Sequence, residues 1–128
     1  MVIDTSAVLA VLLDEPEREE FITKIAAAPR RQISVASVLE STLVLETQKG
    51  EPAGRELDLF LHRGKIEMVA VDEMQLELAR SAWRRFGKGR HPAGLNYGDL
   101  FSYALARTTG EELLFKGADF TKTDVSPA

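Results

Sequence analysis

The sequence contains no cysteine and only two histidines among its 128 residues. The missing cysteines exclude disulfide bonds, zinc–thiolate sites and cysteine nucleophiles. The two histidines, His62 and His91, both lie among polar residues, where a solvated side chain is more common than a zinc ligand or a general base. Chemistry that depends on thiols or on a histidine pair therefore has little support.

Long hydrophobic runs are also missing. The longest apolar stretch, Ala7 to Leu13, is far shorter than the roughly 20 residues that span a bilayer. It follows Asp4 with no basic start and no small-residue cleavage site, so a signal peptide is not expected. We therefore expect no membrane segment, and the cytoplasm is the default location.

Several common motifs and a positive net charge are absent as well. The sequence has no G-x-S-x-G elbow, no Walker loop and no G-x-G-x-x-G. Asp4-Thr5-Ser6 lacks the second aspartate of the D-x-D phosphatase motif, which argues against aspartyl-phosphate transfer. The net charge is −4, whereas proteins that bind nucleic acid by neutralising phosphates are usually basic. Nucleic-acid binding would therefore need a local basic patch or metal ions.

The residues that are present describe an ordinary globular domain. A length of 128 residues, with 45% hydrophobic and 28% charged residues, predicts one domain over residues 1–128. Short strand-like segments alternate with helical ones. This alternation predicts an α/β domain with a short, mostly parallel central sheet that is flanked by helices on both faces.

The pattern of apolar residues, caps and breakers places the individual elements. Strands are predicted at Met1–Asp4, Gln32–Ser34, Ile66–Val71 and Glu112–Phe115, with a last short one at Asp124-Val125. Helices are predicted over Ala7–Leu13 with Ser6 as cap, Pro16–Ala28, Ser37 to Gly50, Arg55–His62, Glu73–Phe86, and Asn96 to Gly110. Leu76, Ala79, Trp83 and Phe86 fall at helical spacing, so that side of their helix is predicted to face the core.

Four acidic residues follow the predicted strands. Asp4 ends the first strand, and Glu40 lies in the first turn of the helix after the Ile33 strand. Asp99 lies in the first turn of the helix that begins near Asn96, and Asp119 follows the last long strand. In an open α/β sheet, ligands bind beyond the carboxyl ends of the strands, so these acids are candidates for one site.

Each of these acids also has a purely structural explanation. Ser37-x-x-Glu40 fits a capping box, and Asn96-x-x-Asp99 is a looser version of it. An acid in a first helical turn gains about 0.3–1 kcal/mol from the helix dipole. Asp119 fits an ordinary turn.

The joint arrangement favours a metal site. Asp4 and Asp99 adjoin apolar segments, so burial is expected, and gathered carboxylates repel one another and resist desolvation. No lysine or arginine lies within the strand-end segments at Asp4, Glu40 or Asp99. A hard divalent cation would neutralise them, and Mg²⁺ takes one or two carboxylates together with water and substrate phosphate. Such a site activates water for attack on a phosphodiester.

One dense positive stretch could supply the local patch. It comprises Arg80, Arg84, Arg85, Lys88, Arg90 and His91. Three of these, at four-residue steps, would line one helical face, and Glu77 can pair with Arg80. Phosphate contact and an ordinary solvated face both fit this stretch. Lys116 and Lys122 flank Asp119 and are further candidates for phosphate contact.

Four segments carry a resemblance to a known family. They are the opening MVIDTSA, the helix with Ser37-x-x-Glu40, the block GKGRHPAGLNYGDLFSYALA and the ending LLFKGADFTKTD. Together they resemble the PIN-domain family, and in particular the VapC toxins of bacterial VapBC toxin–antitoxin modules. The resemblance covers essentially the whole chain.

The resemblance implies an endoribonuclease of the prokaryotic cytoplasm that depends on Mg²⁺ or Mn²⁺. It also implies inhibition by a cognate VapB-type antitoxin, and a homodimer. Asp4 and Asp99 match the family's main metal ligands, while Glu40 and Asp119 match its other acidic positions. For the last of these, Asp124 lies close by and remains an alternative.

Hydroxyl and basic residues complete the expected site. Thr5 or Ser6 matches a small hydroxyl position near the metal. The residues expected to contact substrate are Ser6, Arg84, Arg85, Lys88, Arg90 and Lys116.

Two other functions remain open from the sequence. The first is a receiver-like or degenerate PIN module that binds a partner without cleaving RNA. Receiver domains use strand-end acids with a lysine after a later strand, which Lys116 imitates. They also need an aspartate after a middle strand, and the Ile33 strand ends on Ser34-Val35 instead. The second is cleavage of DNA by the same acidic site.

Overall fold

The computed structural model describes residues 1–128 and contains one sheet of four short strands. These are β1 (Val2–Ile3), β2 (Gln32–Ser34), β3 (Glu67–Val69) and β4 (Leu113–Leu114). Their order across the sheet is β3-β2-β1-β4, and every pairing is parallel. The predicted α/β fold with a short parallel sheet is confirmed.

Six helices connect the strands in pairs. They are α1 (Thr5–Leu12), α2 (Arg18–Ala27), α3 (Val35–Lys49), α4 (Glu51–Arg63), α5 (Glu73–Phe86) and α6 (Tyr97–Thr109). A short 3₁₀ helix, Asp119–Lys122, follows β4. None of the helices combines the length and the apolar character that a membrane crossing requires.

Alternate strand residues enter two separate hydrophobic cores. Ile3 and Leu114 point into a core that is completed by side chains of α1, α2, α3 and α4. Val2 and Leu113 point to the other face, into a core that is completed by α5 and α6. All four strand side chains are buried, as the two-residue period of a strand with both faces covered requires. Helices therefore cover both faces of the sheet, as predicted.

The topology places the end of β1 at a switch point. From β1 the chain moves outward to β2 and β3, and it then returns to β4 on the opposite side of β1. Asp4 directly follows β1, and its backbone N–H donates to the Leu114 carbonyl at 2.9 Å. Ligands of open parallel sheets bind where the strand order reverses in this way. The fold therefore brings Asp4 to the position where a ligand-binding site is expected.

Three helices, α1, α3 and α4, begin earlier than predicted. α1 begins at Thr5 with the Asp4 side chain as its cap, rather than at Ala7 with Ser6 as cap. α3 begins at Val35, because the strand runs straight into the helix and the Ser34 hydroxyl accepts from the Ala36 N–H at 3.2 Å. The capping box at Ser37 is therefore wrong, and Glu40 lies in the second helical turn rather than the first.

Smaller differences concern other element boundaries. α4 begins at Glu51 rather than Arg55, since Pro52 suits a first helical turn. α2 begins at Arg18, so that Pro16 precedes the helix instead of opening it. The predicted strand at Asp124-Val125 does not form; instead Pro127 makes an isolated parallel bridge with Leu113.

The predicted core face of α5 is largely wrong. Only Phe86 is buried, whereas Leu76 and Trp83 are 50% and 43% exposed. The helix is turned so that Ala82 faces the core. Leu76, Ala79 and Trp83 instead line an open apolar groove of about 610 Å³ beside α6. The helical period was correct, but the pattern does not reveal which apolar side is covered.

The assignment of core and surface residues predicts how strongly single mutations lower the free energy of unfolding. Ile33 is fully buried, so Ile33→Ala should lower the free energy of unfolding by about 2–5 kcal/mol through lost burial and a cavity. Leu59 on α4 is 47% exposed, so Leu59→Ala should stay within about 0.5 kcal/mol of the parent. Urea denaturation of the metal-free protein measures both. Equal losses would contradict this assignment of the core.

Candidate functional site

Asp4 is buried at the end of β1 and is held by hydroxyl and amide donors. Its side chain is 3% exposed. The Oδ2 atom accepts from the Ser6 backbone N–H at 3.0 Å and from the Ser6 hydroxyl at 2.7 Å. The Oδ1 atom accepts from the Ser102 hydroxyl at 2.5 Å. The chain thus stabilises a buried carboxylate here without a positive side chain.

Asp99 caps α6 and also lies close to the other predicted acids. Its Oδ2 accepts from the Asn96 N–H at 3.0 Å, and its own N–H donates to Asn96 Oδ1 at 3.0 Å, which completes a capping box. Burial is the main cause that raises the pKa of Asp99 to about 6, against the lowering effect of the Asn96 N–H. The charges of Asp4, Asp119 and Glu40 raise this pKa further. Asp99 therefore caps α6 and also lies among other acids.

Glu40 approaches Asp99 across a glycine. A β-carbon built on Gly98 would collide with the Glu40 carboxylate, so that carboxylate lies directly against the backbone of the residue before Asp99. Glu40 itself is half-buried on α3. The close approach explains how an acid in the second turn of α3 reaches the start of α6.

The four predicted acids form what we call the acidic cluster: Asp4, Glu40, Asp99 and Asp119. None of them takes part in a salt bridge. No three Asp, Glu, His or Cys side chains converge tightly enough to form a ready-made metal cage. The cluster fits Mg²⁺, which needs only one or two carboxylates and otherwise binds water and phosphate.

Asp124 belongs to a different part of the structure. Its Oδ1 accepts from the Tyr103 hydroxyl at 2.7 Å, and its Oδ2 lies 3.5 Å from Arg85 and 3.8 Å from Arg107. Burial alone would raise the pKa of Asp124, but the Tyr103 hydrogen bond and the two arginines hold it below its usual value. Asp119, not Asp124, contributes to the pKa of Asp99. The geometry therefore favours Asp119 as the fourth acid.

Ser6 and Lys116 connect the site to the loop after β4. The Ser6 hydroxyl, whose proton goes to Asp4, accepts from the Lys116 backbone N–H at 2.9 Å. The Lys116 ammonium pairs with Glu15 and also lies 3.3 Å from Glu17. The hydrogen bond to Glu15 is the main cause that raises the pKa of Lys116. The Ser6 hydroxyl and the Lys116 ammonium already have protein partners. Substrate contact by these two residues stays a prediction.

The basic stretch divides into engaged and unengaged cations. Arg80 pairs with Glu77 at 3.1 Å, and the Arg90 guanidinium lies 4.0 Å above the Trp83 ring. Arg85 is engaged by Asp124, as described above. Arg84 and Lys88 are exposed and form no salt bridge, and Lys88 follows the end of α5 instead of continuing its helical face. Phosphate contact by Arg84, Arg85, Lys88 and Arg90 stays a prediction.

Sequence reasoning missed three residues that shape the site: Ser37, Gly98 and Ser102. Ser102 lies three residues after Asp99, on the adjoining surface of α6, and such spacing could have drawn attention to it. The glycine immediately before Asp99 was a further signal of a close approach. The pairing of Ser102 with Asp4 spans 98 positions of the chain, so no local pattern indicates it.

Comparison with known proteins gives consistent matches along the chain. Residues 1–126 match the family profile described as the PIN domain. The sequence is 58% identical to a protein named Ribonuclease VapC from Mycolicibacterium smegmatis, over 98% of each chain. It is 56% identical to Ribonuclease VapC30 from Mycobacterium tuberculosis, over 98% of this chain and 96% of that protein.

Solved structures with low sequence identity share the fold. One is VapC20 from Mycobacterium tuberculosis, described as a sarcin-ricin loop cleaving toxin, with a TM-score of 0.80 and 16% identity over 99% of this chain and 97% of that one. Another is VapBC2 from Rickettsia felis, described as bound to a DNA fragment from the promoter, with a TM-score of 0.74 and 16% identity. It covers 98% of this chain and 94% of that one.

The raised pKa of Asp99 predicts how the metal-free protein responds to pH. Its value of about 6 lies above the ordinary 3.8, so the folded chain holds this proton more tightly than the unfolded chain. Stability should therefore fall as the pH rises from about 4 to above 6. Asp99→Asn keeps a capping oxygen and removes the charge. This variant should melt a few degrees above the parent at pH 8 in chelator, and the difference should vanish at pH 4.

The matched control is Asp58→Asn, which changes an exposed acid on α4 that forms no salt bridge. Its melting temperature should differ from the parent by the same small amount at both pH values. A gain for Asp99→Asn that does not change between pH 4 and pH 8 would contradict the assignment.

Proposed function

This chain belongs to the PIN-domain family, and on that premise we propose that it is an endoribonuclease toxin that cleaves RNA with a divalent metal ion at the acidic cluster. One observation carries the proposal: four acids of separate chain segments gather at the end of β1 with no cation to balance them. Relatives that are 56–58% identical over nearly the whole chain and are named ribonucleases support the choice of RNA as substrate.

Asp4 and Asp99 are the residues that would hold the metal. Each keeps acceptor capacity on Oδ1, because one hydroxyl donor reaches that atom in Asp4 and none reaches it in Asp99. Mg²⁺ is the expected ion, and Mn²⁺ suits the same oxygen ligands. When bound, the ion would stabilise charge on the scissile phosphate and lower the pKa of the attacking water.

Glu40 and Asp119 are the residues that we propose for the water that attacks the phosphate. Both carry no salt bridge, and both lie near enough to Asp99 to affect its pKa. One of them would orient this water and accept its proton. Attack by water would form a new P–O bond while the P–O3′ bond breaks. The departing 3′ oxygen would take up a proton from solvent, so the products would be a 5′-phosphate and a 3′-hydroxyl.

The partner proposed for this chain is an antitoxin of the VapB type. One fold neighbour is described as a toxin–antitoxin complex from Klebsiella pneumoniae, and another is described as VapBC2 from Rickettsia felis. An uncompensated acidic cluster would suit a basic antitoxin segment. A homodimer is the proposed oligomeric state, as the resemblance implies.

The receiver-like alternative has lost its main support. It relied on Lys116 as the lysine that faces the acids, and the Lys116 ammonium instead pairs with Glu15 and Glu17. A degenerate PIN module without catalysis differs from the proposal only in activity, so a cleavage assay separates the two.

Asp99→Asn should abolish metal-dependent RNA cleavage and leave the fold intact. We expect a rate loss of about 100-fold or more, since even residues that merely support a metal ligand cost roughly 10- to 100-fold when lost. Purified protein, labelled RNA and Mg²⁺ or Mn²⁺ provide the assay, and circular dichroism reports the fold. Asp58→Asn serves again as control and should cleave like the parent.

The chemistry of the RNA ends tests the mechanism separately. A 5′-phosphate and a 3′-hydroxyl are expected, whereas a 2′,3′-cyclic phosphate would rule out attack by water. Cleavage by Asp99→Asn at the parent rate would show that the activity arises elsewhere, and no cleavage by the parent would favour the degenerate module.

Gly98→Ala should reduce cleavage without unfolding the protein. The added methyl group displaces the flexible end of Glu40, and alanine favours a helix by up to about 1 kcal/mol over glycine. Gly54→Ala is a matched control, because a β-carbon there would displace the Glu46 carboxylate outside the acidic cluster. Both variants should melt no lower than the parent, and only Gly98→Ala should lose about 10-fold in rate. Full activity of Gly98→Ala would remove Glu40 from the proposed site.

A further inference from the structure

A chain of buried hydroxyl groups lies behind Asp4. The Ser102 hydroxyl on α6 donates to Asp4 Oδ1 at 2.5 Å, and its oxygen lies 3.3 Å from the Ser37 hydroxyl on α3. Ser102 and Ser37 are 0% and 1% exposed. These hydrogen bonds link Asp4, at the end of β1, to α6 and α3, the helices that carry Asp99 and Glu40.

The hydrogen bonds from Ser37 to Ser102 and from Ser102 to Asp4 run in one direction. A serine hydroxyl has a single proton, and an ionised carboxylate can only accept. Because Ser102 gives its proton to Asp4, the longer contact between the two serines must be donated by Ser37. Both protons therefore point toward the Asp4 carboxylate, and they stabilise its charge where no cation is present.

These two serines differ from the other hydroxyl residues of the same helices. Within a helix, serine and threonine usually donate to the carbonyl four residues earlier. Ser41 and Thr42 on α3 do so at 2.8 Å, and Thr108 on α6 does so at 2.8 Å. Ser102 and Ser37 instead point across the interface between the helices. Their hydroxyl groups therefore take part in stabilising the Asp4 carboxylate and do not bond to the helix backbone.

The acceptor sites of Asp4 show what this arrangement leaves free. A carboxylate offers about four lone-pair positions to donors or metals. Two are taken on Oδ2 by Ser6, and one is taken on Oδ1 by Ser102. One position on Oδ1 remains.

We propose that Ser102 is a positioning residue: its hydroxyl, oriented by Ser37, fixes the Asp4 carboxylate so that one Oδ1 lone pair is presented to a divalent cation. This inference rests on the proposed function, since it assumes that Asp4 is a metal ligand. Without the Ser102 hydroxyl, Asp4 would keep its Ser6 contacts but lose the donor that fixes Oδ1. Partners of this kind typically contribute 10- to 100-fold to metal affinity.

Mn²⁺ binding to the full chain, measured by titration calorimetry without RNA, tests the proposal. Ser102→Ala should bind Mn²⁺ about 10-fold more weakly than the parent. Ser41→Ala is the matched control, because Ser41 is an equally buried serine on α3 whose hydroxyl bonds only to the Ser37 carbonyl. It should bind Mn²⁺ like the parent, and melting in chelator verifies that both variants are folded.

A conservative variant separates positioning from packing. Ser102→Thr keeps the hydroxyl and should recover most of the lost affinity. If the added methyl group prevents folding, the comparison of Ser102→Ala with Ser41→Ala decides alone. Equal Mn²⁺ affinity of Ser102→Ala and the parent would overturn the inference but leave the proposed function standing. Equal losses in both alanine variants would also overturn it, and no binding by the parent would overturn the proposed function together with the inference.

Discussion

Asp4 directly follows β1, one of the two interior strands of the sheet, and its buried carboxylate is held by hydrogen bonds instead of a salt bridge. A buried charge without a partner is costly, and a lysine or arginine would relieve that cost at the expense of the site. Serine donors stabilise the charge without neutralising it. The negative potential therefore remains available to a cation. The buried charge must be stabilised without a positive side chain, and Ser6 and Ser102 meet this requirement.

The same requirement explains how the elements around β1 are connected. Ser6 joins Asp4 to the loop after β4 through the Lys116 N–H, and Ser102 joins Asp4 to α6. Each link uses a short side chain, so the backbones must approach closely. Gly98 permits a similar approach between α6 and Glu40. The acids consequently gather through backbone proximity, in a fold whose strands are only two or three residues long.

Much of this could be predicted from the sequence, and the failures have physical reasons. Strand-end logic found the acidic cluster, because the carboxyl ends of parallel strands meet at one edge of the sheet. It misplaced the start of α3, since a strand that runs straight into a helix leaves no loop residues to mark the boundary. Helical spacing predicted the wrong core face for α5, because Leu76 and Trp83 share a period with core residues but face an open groove. No sequence pattern indicated Ser102, because its partner, Asp4, is distant in the chain.

Asp99 shows why structural and functional explanations of one acid need not compete. Its capping bond uses Oδ2 alone, and the start of α6 adds a favourable dipole for negative charge. Those interactions lower the pKa, yet burial and the neighbouring acids outweigh them and raise it to about 6. A carboxylate that served only as a cap would gain nothing from three acids nearby. The excess repulsion is the part that capping leaves unexplained, and a bound cation would remove it.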